Sequence, residues 1–237
     1  YDLTFTGVAF FTLAELVRIN SVNNSYEGGP GEKECAACVR RFFEQRGIEV
    51  WEQEVFPGRN NVIARVAGRD SSRRIVFEAH MDTVSIKGMT IDPFEPVIRD
   101  GRLHGRGSVD DKAGLAAMMH AVAEIHASGE PPPCELWLAA VVDEEFSFRG
   151  VVKLCEGLKA DAAVVAEPTE FRCVIASKGV LRWRIRTKGK AAHSSKPHLG
   201  INAITAMSRV VLALQEDHER MQAAVHPLLG PGTCNVG

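Results

Sequence analysis

Residues 135–150 read ELWLAAVVDEEFSFRG, an apolar run that stops abruptly at Asp143, Glu144 and Glu145. An unbroken apolar segment of this length, rich in valine toward its end, is the mark of a strand covered on both faces. Two further stretches share the pattern. RRIVFEAHMD (73–82) and DAAVVAEP (161–168) also run apolar and then finish on imidazole or carboxylate side chains.

Working outward from these strands, helical segments alternate with them. A helix near residues 9–19 precedes a loop rich in Ser, Asn, Gly and Pro at 20–31, and a second helix at about 32–46 is stopped by Gly47. NVIARVAG (61–68) follows as a strand, then a long irregular stretch at 82–110, a helix at about 112–127 and another around 147–158. Strands alternating with helices predict an α/β fold with a mostly parallel central sheet and helices on both faces. After about residue 174 the pattern changes. VLRWRIRTKGK (180–190) alternates strictly, with Leu181, Trp183 and Ile185 opposite Arg182, Arg184 and Arg186, which predicts a strand with one wet face guarded by charge against edge pairing. A helix at about 199–221 completes this part. The boundary is therefore expected near 174, with an α/β domain at 1–174 and a partial α+β unit at 175–237.

Composition narrows the function. Hydrophobic residues at 45%, charged residues at 24% and a net charge of −2 are ordinary globular values and give no reason to expect nucleic acid as partner. VAFFTLAELV (8–17) carries Glu15 and is far shorter than the roughly 20 residues of a membrane span. With no signal-peptide pattern at the amino end, the expected location is the cytoplasm. The chain begins at Tyr1 and stops at GPGTCNVG, which reads as the start of a strand, so a processed or partial chain is expected. CAAC (35–38) has the spacing of a redox or metal motif. It lies inside a helical pattern, however, where positions 35, 38, 39, 42 and 43 share one apolar face, so these cysteines are expected in the core.

The chemistry lies at the strand ends. In an α/β sheet, function gathers at the carboxyl ends of the strands. His80 with Asp82, Glu144 with Glu145, and Glu167 all fall there, and Asp110 with Asp111 sits just ahead of a helix. So many carboxylates in a small volume raise one another's pKa, and divalent cations are the natural compensation. Histidine plus carboxylates suits Zn²⁺ best, with Co²⁺ or Mn²⁺ as substitutes. The oxygen donors exceed what one tetrahedral ion needs, and two ions about 3.5–4 Å apart would use them. Adjacent glutamates project differently from an extended backbone, so one can bind metal while the other takes a proton from water. Taken singly, each element has a structural account: a surface His–Asp pair, a solvated acidic turn, and an Asp at a helix N-cap.

HMDTV, DPFEP, DGRLHGRGSVDDKAG, VVDEE, AEPT and KAAHSSKPHLGINAI occur in this order along essentially the whole chain. Together they resemble the dinuclear-zinc amidohydrolases that include acetylornithine deacetylase, succinyl-diaminopimelate desuccinylase, glutamate carboxypeptidase and aminoacylase. The resemblance implies a hydrolase acting on the amide bond of N-acyl amino acids or small peptides. It implies two Zn²⁺ ions held by His80, Asp110, Glu145 and Glu167, with Asp110 bridging them. Glu144 would be the general base toward water and the leaving amine, Asp82 would orient His80, and the Asp110–Asp111 peptide is expected to be cis.

The second unit resembles the family's lid and dimerisation domain, which implies a homodimer, and His193 matches a lid histidine that steadies a developing oxyanion in a partner's site. The family is considerably longer. It supplies one more histidine ligand and the substrate-gripping residues from sequence after the lid, and His198, His218 and His226 are not assigned to that role. Weak second-metal occupancy and little turnover are therefore expected of these 237 residues. Two other readings remain: a two-metal phosphoesterase, and a non-catalytic metal-binding or dimerising module.

Overall fold

The computed structural model describes the backbone of residues 3–237 and the side chains from Ala9 onward. It divides into two compact units, one ending at Glu170 and the other spanning Phe171–Gly237.

In the first unit, helices α1 (Leu3–Arg18) and α2 (Lys33–Glu44) precede strands β1 (Glu49–Phe56), β2 (Arg59–Val66) and β3 (Asp70–His80). A small hairpin, β4 (Val97–Arg99) and β5 (Arg102–His104), leads to α3 (Lys112–Ala127), β6 (Cys134–Val141), α4 (Arg149–Cys155) and β7 (Ala162–Val165). The central sheet has the order β1-β2-β6-β3-β7. Strand β6 runs parallel to β3, and β3 parallel to β7, whereas β2 is antiparallel to both its neighbours. Every strand but β2 thus points the same way, as the apolar runs predict. Strand β1, EVWEQEVF, is an addition to the sequence reading.

The faces of β6 show why its sequence is apolar throughout. Leu136, Leu138 and Ala140 pack on one side with residues of α1, α2 and α3, while Ala139 and Val141 pack on the other with Leu154 of α4. Covering on both sides removes the alternation that a half-wet strand would show. Cys35 and Cys38 belong to the first of these cores, on the buried face of α2 with Val39, Phe42 and Phe43. Burial pushes the two thiols up, to about 11 and about 12, so they behave as core groups and not as a reactive pair. Lys112 is also fully buried. Its ammonium donates to the carbonyls of Leu16 at 2.9 Å and Ile19 at 2.7 Å, closing the carboxyl end of α1, whose last carbonyls have no helical partner.

The second unit contains a short 3₁₀ turn at Pro197–Leu199, helix α5 (Ala203–Met221) and a two-residue pairing of β8 (Val225–His226) with β9 (Gly230–Pro231). Asn202 caps α5, its Oδ1 accepting from the N–H groups of Ile204 at 2.9 Å and Thr205 at 3.0 Å. The strand expected at 180–190 is not formed among the described residues. Only Lys190 pairs, in a single bridge to Ile201, and Leu181 and Trp183 are exposed. Alternation encodes a two-faced segment, but a strand exists only where a neighbour accepts its hydrogen bonds, and none of the described residues supplies one.

Candidate metal centre

The parallel register of three strands builds the site. His80, the last residue of β3, pairs in register with Val141 of β6, and Glu78 with Val165 of β7. Strand β6 therefore delivers Asp143, Glu144 and Glu145, and β7 delivers Glu167, to the rim where β3 delivers His80 and Asp82. The Asp110–Asp111 peptide, which is cis as expected, brings a fourth segment to the same rim.

The ligand-type atoms converge in two overlapping groups, His80 with Asp110 and Glu145, and His80 with Glu144 and Glu167, all within 4.8 Å of one another. His80 is buried. Its Nδ1 lies 2.9 Å from the main-chain oxygen of Asp82 and 3.5 Å from Asp82 Oδ1, and its Nε2 faces Asp110 Oδ1 at 3.0 Å and Glu144 Oε2 at 4.0 Å. With Nδ1 turned to Asp82, Nε2 is the nitrogen offered to the acidic cluster. The Asp82 carboxylate itself is committed mostly elsewhere. It accepts the backbone N–H groups of Glu144 and Glu145, both at 3.1 Å, and the Asn23 amide at 2.7 Å.

The electrostatics are those of a crowded anion cluster. Burial, and then the neighbouring carboxylates, push Glu78 and Glu145 up to about 7 and Asp111 to about 8, and raise Glu167 as well. Burial alone would lower the His80 imidazole, but its hydrogen bonds to Asp110 and Asp82 prevail and raise it. Asp111 stands at the N-cap position of α3, yet its side chain makes no capping bond, and its buried Oδ2 has no hydrogen-bond partner among the described residues. Helix capping therefore does not explain the Asp–Asp pair. The helix is held tightly against it: a Cβ added at Gly114 would meet Asp111 Oδ1 at 2.3 Å and Ala166 Cβ at 2.5 Å. One imidazole among several mutually repelling, partly buried carboxyls is a donor set that fits divalent cations.

The residues singled out from sequence are thus brought together in the first unit: His80, Asp82, Asp110, Glu144, Glu145 and Glu167 share one rim. His193 lies in the second unit, exposed, with its Nδ1 2.8 Å from Ser195 Oγ. Four polar residues at or behind the rim escaped the sequence reading, Glu78, Asn23, Glu32 and Arg59, and a fifth, Asp143, was visible in the acidic triplet but had no role assigned to it. Glu78 had a legible signal, a lone carboxylate two residues before His80 and so on the same face of the strand.

Residues 76–232 match the family described as Peptidase family M20/M25/M40. Among curated proteins, the chain is 30% identical over 212 residues to acetylornithine deacetylase of Vibrio campbellii, covering 88% of this chain and 54% of that protein. It is 31% identical over 216 residues to a probable succinyl-diaminopimelate desuccinylase of Staphylococcus epidermidis, covering 89% and 51%. The chain thus spans about half the length of these relatives. The fold is similar to the crystal structure of a tripeptidase from Staphylococcus aureus, with a TM-score of 0.61 at 22% identity, covering 91% of this chain and 56% of that one.

Proposed function

The chain belongs to peptidase family M20/M25/M40, and from that premise we propose that it is the metal-binding part of a hydrolase that cleaves the amide bond of N-acyl amino acids or small peptides. The observation that carries this reading is the pair of overlapping donor groups that share His80. In this proposal His80, Asp110, Glu145 and Glu167 hold two Zn²⁺ ions, with Co²⁺ or Mn²⁺ as substitutes. When bound, such ions polarise a carbonyl and acidify water.

The protein's own groups do the rest. Glu144, whose N–H is tied to Asp82, takes a proton from the attacking water and returns it to the leaving amine. Asp110 is reached by solvent, with 51% of its side chain exposed, and would offer its carboxylate to an ion from that side; His80 is buried and fixed. His193 is assigned the oxyanion contact and the second unit a dimer interface, by resemblance to the family's lid.

The proximity of Glu144 to His80 and Glu167 favours one competing assignment, with Glu144 as ligand and Glu145 as base. Exchanging each for glutamine separates the two. Under our assignment, Glu144→Gln keeps its Zn²⁺ content and loses what turnover the protein shows by about 10²–10⁴-fold, whereas Glu145→Gln loses metal, so metal content separates the two even where turnover is small. A panel of N-acyl amino acids, dipeptides and phosphate monoesters, with and without chelator, is the assay. Chelator-insensitive turnover, or phosphate esters cleaved in preference to amides, would sink the proposal.

A further inference from the structure

Behind the metal rim lies a buried polar chain in which none of the metal-ligand candidates takes part directly. Arg59, at the start of β2, makes a two-pronged contact with Glu32, Nε to Oε2 and Nη2 to Oε1, both at 2.6 Å. The same guanidinium reaches Asn24 Oδ1 at 2.7 Å and Asp143 Oδ1 at 3.1 Å. Glu32 is fully buried and Asp143 nearly so. Glu32 Oε1 also accepts the backbone N–H of Asp143 at 3.0 Å, so the residue is gripped through its main chain and its side chain. Asn23 completes the circuit, its amide shared between Asp143 Oδ1 at 3.1 Å and Asp82 Oδ2 at 2.7 Å.

What this circuit holds is a backbone turn. Asp143 has φ of +68°, a left-handed conformation that L residues other than Asn and Asp seldom adopt. The turn swings the next two N–H groups inward, where Asp82 accepts both. Below the turn, Ser147 and Phe148 donate their N–H groups to the Asp143 carbonyl at 3.2 and 2.8 Å, and the Ser147 hydroxyl donates to the Asp143 carboxylate.

We propose that Glu32, Arg59 and Asp143 are positioning residues that set the aim of Glu144 and Glu145, a statement that rests on the roles proposed above for those glutamates. The geometry explains why the acidic triplet begins with a third carboxylate. The Asp143 side chain is turned to the arginine and converts the buried Arg59–Glu32 ion pair beside the rim into a fixed direction for the two residues that follow. An uncharged amide in its place would keep the turn but lose the charged grip on Arg59.

The test reads the turn itself, without metal. Amide hydrogen exchange is compared between the protein and the variants Arg59→Lys and Asp143→Asn, with chelator present. Lysine keeps the charge but lacks the fork that engages Glu32 and Asp143 together, and asparagine keeps the shape and tolerates the left-handed backbone. Each is expected to speed exchange at the Glu144 and Glu145 amides about tenfold relative to the amides of β3, the effect of weakening a charge-assisted hydrogen-bonded circuit. Val66→Ala, at the opposite end of β2, is the control for general destabilisation. Unchanged exchange at 144 and 145, or acceleration spread evenly over the sheet as in that control, overturns the inference. The visible absorption of added Co²⁺ is the companion readout: it should be present in the unsubstituted protein and altered in both variants. Its absence from the unsubstituted protein would count against the metal site and leave the exchange result to decide the positioning role.

Discussion

The Nε2 atom of His80 lies 3.0 Å from the Oδ1 atom of Asp110. One partner is locked at the buried end of a central strand and the other stands half-exposed just ahead of a helix, so a buried donor of the rim meets one that solvent reaches.

An ion captured between them should stabilise the folded state by mass action. Zn²⁺ at about 100 times its dissociation constant adds ~2.7 kcal/mol. Asp110→Asn should abolish most of that gain, because it leaves His80 facing a neutral amide, while changing the melting temperature in chelator little. Thermal melts with Zn²⁺ and with EDTA read this directly; equal Zn²⁺-induced shifts in the two proteins would refute it.

Stability should depend on pH through Glu135, far from the rim. Burial alone would raise this carboxyl, but hydrogen bonds from Arg65 at 2.5 Å and Arg74 at 2.6 Å hold it below its ordinary value. A depressed folded pKa contributes stability above the unfolded value of about 4.3, and that contribution is lost as pH falls through the folded value. Glu135→Gln should cost about 1–3 kcal/mol at neutral pH, and the gap should close in acid. Urea denaturation at neutral pH and well below pH 4 checks the sign: a gap of constant size would show that charge is not the cause.

The six cysteines should divide by burial. Cys155 and Cys173 are exposed and should react with a thiol reagent in the native state, whereas Cys35 and Cys38, buried and pushed up to about 11 and about 12, should react only on unfolding. Mass spectrometry of timed alkylation distinguishes the groups. Rapid native modification at Cys35 would reopen the reading of CAAC as a functional pair.

What the sequence made legible follows from which interactions are local. Apolar runs ending in acids revealed β3, β6 and β7 and the candidate ligands at their ends, because a covered strand and its terminal residue are neighbours in the chain. The positioning circuit is not local: Asn23, Glu32, Arg59 and Asp143 come from four separate segments, and nothing in the spacing of one announces the others. Residues 180–190 show the reverse case. Their alternation is plain, but pairing depends on a neighbour the pattern does not contain.

Strand β6 lies between β2 and β3, although β2 and β3 are consecutive and β6 is made much later in the chain. During synthesis, β3 therefore has no lateral partner among the strands already made, and the rim has no floor until Cys134–Val141 has emerged and slotted into the middle of the sheet. Assembly of the candidate metal centre is tied to this long-range insertion and not to hairpin formation, so the donor groups can come together only after a non-local pairing step.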